Sequence, residues 1–150
     1  IAAIFTETAD QEKEHAKRMF KWLEGGMVEI TASYPAGVIG STLENLKAAA
    51  AGEHEAWSLD YPKFADIADE EGFPAIAVMY RNIAVAEKGH EERYQAFVNN
   101  IENGTVFKKD IEVVWQCRNC GYLTIGKEAP ELCPACLHPQ AFFEVKKENY

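Results

Sequence analysis

Residues 76–101 read IAVMYRNIAVAEKGHEERYQAFVNNI, and this stretch decides the fold of the larger part of the chain. Its apolar side chains recur at alternating spacings of four and three, the pattern of an α-helix with one buried face. Polar residues enter that face only in its middle, where Glu87 and His90 take two successive core positions. Residues three apart share a helix face, so this carboxylate and imidazole can address one point. The complete face is Ile76, Tyr80, Ile83, Glu87, His90, Tyr94, Phe97 and Ile101.

The same helical spacing of apolar residues, interrupted by polar residues in the middle, appears twice more toward the N-terminus. In the first stretch the predicted core face again carries Glu-x-x-His in its middle, at Glu12 and His15. In the second, Glu53 is the only carboxylate on the face. The two faces are Ile1, Phe5, Thr8, Glu12, His15, Met19 and Trp22, and Leu46, Ala50, Glu53, Trp57, Phe64 and Ile67.

Capping and helix-breaking residues predict three helices in this part of the chain. Ser41 with Glu44 three residues later forms a capping-box signature at the start of the second helix. Pro62 lies inside that helix and should kink or split it. The connection from 25 to 40 is long for an antiparallel turn, which predicts a crossover to a parallel neighbour. The predicted helices run from 1 to about 23, from 41 to about 72, and from 74 to 103.

Three carboxylates directed into one helical core indicate a cation. Burying even one unpaired carboxylate costs several kcal/mol, and like charges add to that cost. Glutamate and histidine suit iron or manganese, and two Glu-x-x-His helices with further glutamates are typical of ferritin-like di-metal bundles. A hydrogen-bonded structural network is the alternative. His54 points about 100° away from Glu53 around its helix, which favours solvent over ligation.

Composition excludes several classes of function. Lys+Arg 15 against Asp+Glu 24 give a net charge of -9 over 150 residues. No basic stripe is present to bind nucleic acid, and no apolar run approaches the roughly 18 residues of a membrane span. The first residues, 1–7, lack the basic flank of a secretory signal.

The four cysteines form two Cys-x-x-Cys pairs, Cys117/Cys120 and Cys133/Cys136, within short β-prone runs. Two such knuckles make a tetrahedral S4 site for zinc or a single iron, and the spacing leaves the metal open. His138 is surplus to a filled site. Paired thiols without a secretory signal favour a reducing compartment, so a cytoplasmic location is expected. The predicted domains are a helical domain 1–103, a linker 104–110 and a cysteine domain 111–150.

Taken together, the motifs resemble the rubrerythrin family over essentially the whole chain. The resemblance implies a mainly α fold, a ferritin-like four-helix bundle followed by a small β-rich rubredoxin-like domain. It also implies a di-iron centre and one iron bound by the cysteines, with zinc possible in either site. The motifs that carry it are Glu12-x-x-His15, Gly52-Glu53-His54, Tyr61-Pro62, Glu87-x-x-His90, Trp115-x-Cys117-Arg118-Asn119-Cys120-Gly121-Tyr122 and Ala129-Pro130-Glu131-Leu132-Cys133-Pro134-Ala135-Cys136.

The resemblance assigns roles within the bundle. Glu12 and Glu87 would bridge two irons, His15 and His90 would cap one iron each, and Glu53 would be a terminal ligand. Tyr61 matches a tyrosine near the metals. Two departures from the family pattern are expected. The first is that the family's first helix has no counterpart here, so this chain supplies three of the four helices. The second concerns a ligand position. Ala56 stands where the family has a ligand glutamate.

The activity implied by the resemblance is a peroxidase that reduces hydrogen peroxide to water in oxidative stress defence. Electrons would come from an electron-donor protein or reductase and pass through the iron at Cys117, Cys120, Cys133 and Cys136. The family resemblance also implies a cytoplasmic homodimer, without nucleic acid or membrane partners. The alternatives are a ferroxidase or oxidase, and an iron-binding protein with a structural zinc ribbon.

Overall fold

The computed structural model describes residues 1–149 and divides the chain into two compact units, Ile1–Val98 and Asn99–Tyr150. Tyr150, the last residue of the predicted cysteine domain, lies outside the described residues. The first unit is helical and the second contains a small sheet. The division falls after Val98, ahead of the predicted domain end at Asn103, because it cuts the last helix near its C-terminus.

The helical unit contains three helical rods in the described residues. The middle rod is interrupted, as Pro62 predicted, and the capping box at its start is present: Ser41 Oγ accepts from the Glu44 backbone N–H, and Glu44 Oε2 accepts from the Ser41 N–H at 2.8 Å. The elements are α1 (Ala2–Phe20), α2 (Thr42–Glu55), a π-helical segment (Ala56–Asp60), α3 (Tyr61–Glu70) and α4 (Pro74–Glu102).

Side-chain contacts show that α4 runs antiparallel to both of the other rods. Along α1, Phe5 contacts Tyr94 while His15, further along the helix, lies 3.0 Å from Glu87, so the two helices run in opposite directions. Along the middle rod, His54 contacts Glu91 while Tyr61 stacks on Tyr80, with the same reversal. The first two rods are therefore parallel, and the predicted crossover between them is confirmed.

The crossover itself, residues 21–40, has no regular helix or strand and is exposed throughout. α1 ends at Phe20, three residues before the predicted end, and a tight turn carries the chain to Gly25 and Gly26. Both glycines have positive φ, at 92° and 88°, a conformation that glycine adopts without steric cost. Near its start, Trp22 Nε1 donates to Met79 Sδ at 3.2 Å.

The π-helical segment changes which residues are buried along the middle rod, which consists of α2, this segment and α3. The predicted core face is therefore wrong in its C-terminal part. The sequence placed Phe64 and Ile67 on the buried face, yet both are 41% exposed, and Ala65 and Ala68 are buried in their place. A π turn rotates the chain less per residue than the roughly 100° of an α-helix. An α-helical period continued through this segment therefore assigns the wrong residues to the core.

The second unit is built on an antiparallel sheet in the order β2-β1-β3, from β1 (Lys108–Cys117), β2 (Leu123–Glu128) and β3 (Phe143–Val145). Trp115 is its central core residue, fully buried, with Nε1 donating to the Gly126 carbonyl at 3.0 Å. β1 begins at Lys108, which pairs with Glu128, so residues 108–110 of the predicted linker 104–110 lie in this strand. Among the described residues, no helix is both long and apolar enough to cross a membrane.

Candidate metal centres

The three rods direct a cluster of glutamate and histidine side chains at one point. Glu12 comes from α1, Glu53 from α2, and Glu87 and His90 from α4. One ligand atom from each lies within 4.8 Å of the others. Glu87 and His90 are 1% and 7% exposed, whereas the Glu12 side chain is 39% exposed, so the cluster is buried where α4 contributes to it and partly exposed at α1.

Two of the carboxylates each face both histidines. Glu12 places Oε2 3.2 Å from His15 Nδ1 and Oε1 3.0 Å from His90 Nδ1. Glu87 places Oε1 3.0 Å from His15 Nδ1 and Oε2 2.9 Å from His90 Nδ1. The ring centroids of His15 and His90 are 6.1 Å apart. A carboxylate with one oxygen toward each of two imidazoles has the arrangement of a bridge between two cations.

The remaining predicted residues lie around this pair of bridges. Glu53 Oε1 is 3.6 Å from His90 Nδ1 and therefore lies on the His90 side. His15 is adjacent to the four-residue cluster without being one of its members. Tyr61 lies close enough to Glu87 to lower the pKa of that carboxyl. Ala56 begins the π-helical segment and offers no ligand atom.

Burial and mutual repulsion strongly perturb the titration of the cluster. Desolvation, with the charges of Glu12 and Glu87, raises the pKa of Glu53 to about 7. Desolvation and Glu12 raise the pKa of Glu87 to about 8. Desolvation lowers the pKa of His90. The metal-free cluster therefore resists ionisation, as expected of like charges held together in a core.

The unsatisfied polar atoms show what the cluster lacks. In the described residues, Glu12 Oε1, both carboxylate oxygens of Glu87 and His90 Nδ1 are buried without a hydrogen bond of acceptable geometry. Buried polar atoms are ordinarily paired, and a cation bound among these converging oxygen and nitrogen atoms would satisfy them together. Carboxylate and imidazole ligands suit iron. The glutamate–histidine cluster fits a di-iron site.

The cysteines form a second centre, in the other unit. All four Sγ atoms lie within 4.8 Å of one another, with Cys117 3.8 Å from Cys136 and Cys120 3.6 Å from Cys133. Cys117 and Cys133 are buried, whereas Cys120 is exposed. Four sulfurs at these distances fit one tetrahedral metal ion.

The two cysteine knuckles repeat the same backbone hydrogen bonds. In the first, the Cys117 N–H donates to Tyr122 O and the Gly121 N–H to Cys117 O, each at 2.8–2.9 Å. In the second, the Cys133 N–H donates to His138 O and the Leu137 N–H to Cys133 O, both at 2.8 Å. The knuckles are therefore two copies of one turn.

The thiols have unequal proton affinities in the metal-free state. The His138 backbone N–H lowers the pKa of Cys136 to about 6. At Cys120 the Tyr122 N–H also lowers the pKa, but contacts with the other thiols outweigh it and raise the pKa to about 12. A metal ion that binds all four sulfurs must displace those protons. The His138 side chain is outside the group of four sulfurs, and its Nδ1 lies 3.2 Å from the Cys136 carbonyl.

Sequence reasoning missed two polar contacts beside the glutamate–histidine cluster. The sequence gives no reason to single out Glu91 among the charges of α4, yet it accepts hydrogen bonds from the Trp57 indole and from His54. Gln11 and Arg93 were not singled out, yet Gln11 Oε1 lies 3.0 Å from His90 Nε2 and 3.2 Å from Arg93 Nη2. The one sequence feature that could have indicated these contacts is the position of Arg93, three residues after His90 on the same helix face. Charged residues on helix surfaces are too common for this position to identify a contact with His90.

A helical bundle with a carboxylate-bridged histidine pair, followed by a four-cysteine module on a small sheet, defines a class of metalloprotein: ferritin-like di-iron proteins with a rubredoxin-like domain. Residues 1–98 match the family model described as Rubrerythrin, and residues 115–144 match the model described as Rubrerythrin, rubredoxin-like domain. The chain belongs to the rubrerythrin family.

Individual relatives agree with that assignment. The chain is 62% identical over 150 residues to the rubrerythrin of Porphyromonas gingivalis (strain ATCC BAA-308 / W83), covering all of this chain and 75% of the relative. It is 55% identical over 150 residues to the rubrerythrin of Nitratidesulfovibrio vulgaris (strain Hildenborough), covering all of this chain and 78% of the relative. Among solved structures, it is similar to nigerythrin in a partially reduced state, with 33% identity, a TM-score of 0.56, and coverage of 97% of this chain and 70% of that one.

Proposed function

We propose that the protein is a non-haem di-iron peroxidase that reduces hydrogen peroxide to water in oxidative stress defence. The observation that carries the proposal is the pair of carboxylates, Glu12 and Glu87, each with one oxygen toward His15 and the other toward His90. Two metal ions held side by side match the two electrons that cleavage of one O–O bond consumes. Rubrerythrins are oxidoreductases, which is consistent with this chemistry.

In this proposal each side chain has a distinct role at the metals. Glu12 and Glu87 would be shared by the two ions, His15 and His90 would each hold one of them, and Glu53 would help to hold the ion next to His90. With iron bound, the carboxylate site supplies electrons for peroxide reduction and the cysteine site exchanges them one at a time.

Tyr61 holds a proton at the edge of the carboxylate site. Desolvation, with the negative charges of Glu87, Glu12 and Glu53, raises the pKa of its hydroxyl. The phenol therefore stays protonated across the physiological range. Its ring is fixed by stacking on Tyr80 at 5.7 Å between ring centroids. A neutral O–H beside Glu87 is suited to donate a hydrogen bond to an oxygen ligand, and we assign Tyr61 that role.

The partners follow from the same chemistry. Hydrogen peroxide is the oxidant, and an electron-donor protein or reductase supplies electrons through the four-cysteine site. We propose that the protein acts as a cytoplasmic homodimer, in keeping with its family and with thiols that bind metal only when reduced.

The experiment loads the protein with iron, reduces it without oxygen, and mixes it with hydrogen peroxide in a stopped-flow spectrometer. Rapid oxidation with one peroxide consumed per di-iron site supports the proposal. Oxidation by dioxygen but not by peroxide would overturn it in favour of an oxidase. Iron uptake without either reaction, with zinc retained at the cysteines, would overturn it in favour of an iron-binding protein.

Two glutamine variants connect the activity to the proposed ligands. Glu53→Gln should slow peroxide reduction by roughly 10- to 100-fold, the range that changes around a metal ligand produce. Glu55→Gln is the matched control, because Glu55 is exposed and outside the cluster. Equal rates in the two variants would contradict the ligand role of Glu53.

A further inference from the structure

The two nitrogens of His90 have different neighbours. Nδ1 faces the carboxylates, 3.0 Å from Glu12 Oε1 and 2.9 Å from Glu87 Oε2. Nε2, on the other side of the ring, lies 3.0 Å from Gln11 Oε1. A neutral imidazole carries one N–H, and an amide oxygen only accepts hydrogen bonds. Gln11 and the carboxylates therefore compete for the one N–H of the neutral ring, and only the Nε2–H form leaves the Nδ1 lone pair free for a cation among the carboxylates.

Arg93 fixes which end of the Gln11 amide faces His90. Its Nη2 lies 3.2 Å from the same Gln11 Oε1. A guanidinium only donates, so a flipped amide would place its NH2 group against the Arg93 N–H. Arg93 therefore requires the oxygen at this position, and Gln11 presents an acceptor to His90 Nε2.

Arg93 is itself held by α1, the helix that carries Gln11. Its Nη1 donates to Glu7 Oε1 at 2.7 Å and its Nη2 to Thr8 Oγ1 at 2.5 Å. Thr8 is 3% exposed, and its hydroxyl donates to the Ile4 carbonyl at 3.0 Å. A guanidinium with several fixed acceptors has little freedom to move. Gln11 on α1 and Arg93 on α4, the two residues beside His90 Nε2, are therefore held in place by contacts between these helices.

We propose that Gln11, oriented by Arg93, is a positioning residue that holds His90 in the Nε2–H tautomer, so that Nδ1 is its metal-binding atom. An outer hydrogen bond to a ligating histidine sets the ring's tautomer and orientation and increases its basicity as a ligand. The proposal rests on the metal-binding part of the proposed function and is independent of the oxidant.

The first test uses the metal-free protein and nitrogen-15 NMR of the histidine rings. In the unaltered chain the His90 shifts should show a protonated Nε2 and an unprotonated Nδ1. Gln11→Met removes the acceptor at similar side-chain length and should produce a mixture of tautomers at His90. Gln11→Glu retains an acceptor and should keep the Nε2–H form. An Nδ1–H tautomer in the unaltered protein, or an unchanged His90 in Gln11→Met, would overturn the proposal.

The second test measures Co²⁺ affinity by titration, after one equivalent of Zn²⁺ has filled the cysteine site. Gln11→Met should weaken Co²⁺ binding about 10- to 100-fold, whereas Gln11→Glu should restore it. Arg93→Met should weaken binding in the same direction. Arg81→Met is the matched control, because Arg81 is also on α4 and pairs with Asp66 and Asp69, away from the cluster.

The two readouts separate this proposal from the proposed peroxidase. If peroxide reduction fails while Gln11→Met changes both tautomer and Co²⁺ affinity, the positioning role stands and the oxidant is wrong. If Gln11→Met fails to fold, Gln11→Ala, which also removes the acceptor, and Arg93→Met carry the same comparison against Gln11→Glu and Arg81→Met. Equal Co²⁺ affinities in all folded variants would contradict the positioning role even with full peroxidase activity.

Discussion

At the scale of single residues, Ala56 stands where the resemblance to the rubrerythrin family predicts a ligand glutamate. It lies three residues after Glu53, at the first position of the π-helical segment, and has no side-chain oxygen. The His15 side of the site has the two shared carboxylates, but Glu53 lies on the His90 side. A metal ion next to His15 would therefore have fewer protein ligands than one next to His90.

Ala56→Glu should strengthen binding of the second metal ion. We expect its dissociation constant to fall by at least about tenfold, the lower end of what neighbours of metal ligands contribute. The added negative charge should also lower the reduction potential of the iron site, because it favours the ferric state. Metal titration and a spectroscopic redox titration measure both effects. Identical affinities and potentials in the two proteins would show that position 56 has no influence on the metals.

The raised carboxyl pKa values predict how the metal-free protein responds to pH. The pKa of Glu53 rises from 4.5 to about 7 on folding, so the folded state binds more protons than the unfolded state between these values. Stability should therefore fall as pH rises from about 4.5 to about 7, by on the order of 1–2 kcal/mol for Glu53. Urea unfolding at pH 5 and pH 8 tests this. The loss should shrink in Glu53→Gln and persist in Glu55→Gln.

At the scale of elements, the two cysteine knuckles place different residues in the same turn. Gly121 and Leu137 occupy equivalent positions and have φ of 79° and 60°. A left-handed conformation costs an ordinary residue roughly 1–2 kcal/mol, whereas glycine adopts it freely. Leu137 is 74% exposed, so its side chain offers little burial in return.

Leu137→Gly should consequently leave the metal-loaded domain as stable as before or raise its stability by up to about 1 kcal/mol. Gly121→Leu should destabilise it by about 1–2 kcal/mol. Thermal unfolding of the zinc-loaded protein measures both. A clear loss of stability in Leu137→Gly would mean that the leucine side chain makes a contact that outweighs the backbone strain.

The π-helical segment determines which side chains the middle rod presents to the metal cluster. In an uninterrupted α-helix Tyr61 would lie about 80° around the axis from Glu53. The smaller rotation per residue in Ala56–Asp60 brings Tyr61 closer to the face of Glu53, consistent with its effect on Glu87. The segment is therefore part of the site's construction, as π segments at functional sites often are.

At the scale of the whole molecule, the two metal centres should be separable by a single substitution. Cys120→Ser removes one exposed ligand of the four-sulfur site and leaves the helical unit unchanged. We expect single-turnover oxidation of the iron cluster by peroxide to survive and steady-state turnover with an external reductase to stop. Stopped-flow and steady-state assays measure the two rates. Unchanged steady-state activity would show that electrons enter without the cysteine site.

The exposed apolar residues of the helical unit predict association of these 150 residues. In the crossover Val38 and Ile39 are 96% and 89% exposed, and on α4 Val85 is 72% exposed. Such surface favours burial against another chain. We expect concentration-dependent dimers by light scattering, weakened by Val38→Glu and not by Ala48→Glu, a charge placed on an exposed site of α2. A monomer that binds no hydrophobic dye would contradict this prediction.

The sequence by itself determined the helices, their parallel crossover and the residues available as ligands. Hydrophobic periodicity and capping are local properties, so Glu12, Glu87 and His90 could be placed on core faces, and Cys-x-x-Cys pairs need only short-range geometry. Only the tertiary structure decided what depends on rotation and distance between helices. It showed that Ala65 and Ala68 replace Phe64 and Ile67 in the core, because the π-helical segment changes the helical phase. It also showed that Gln11 meets His90, because that contact joins side chains 79 residues apart, and no local pattern encodes it.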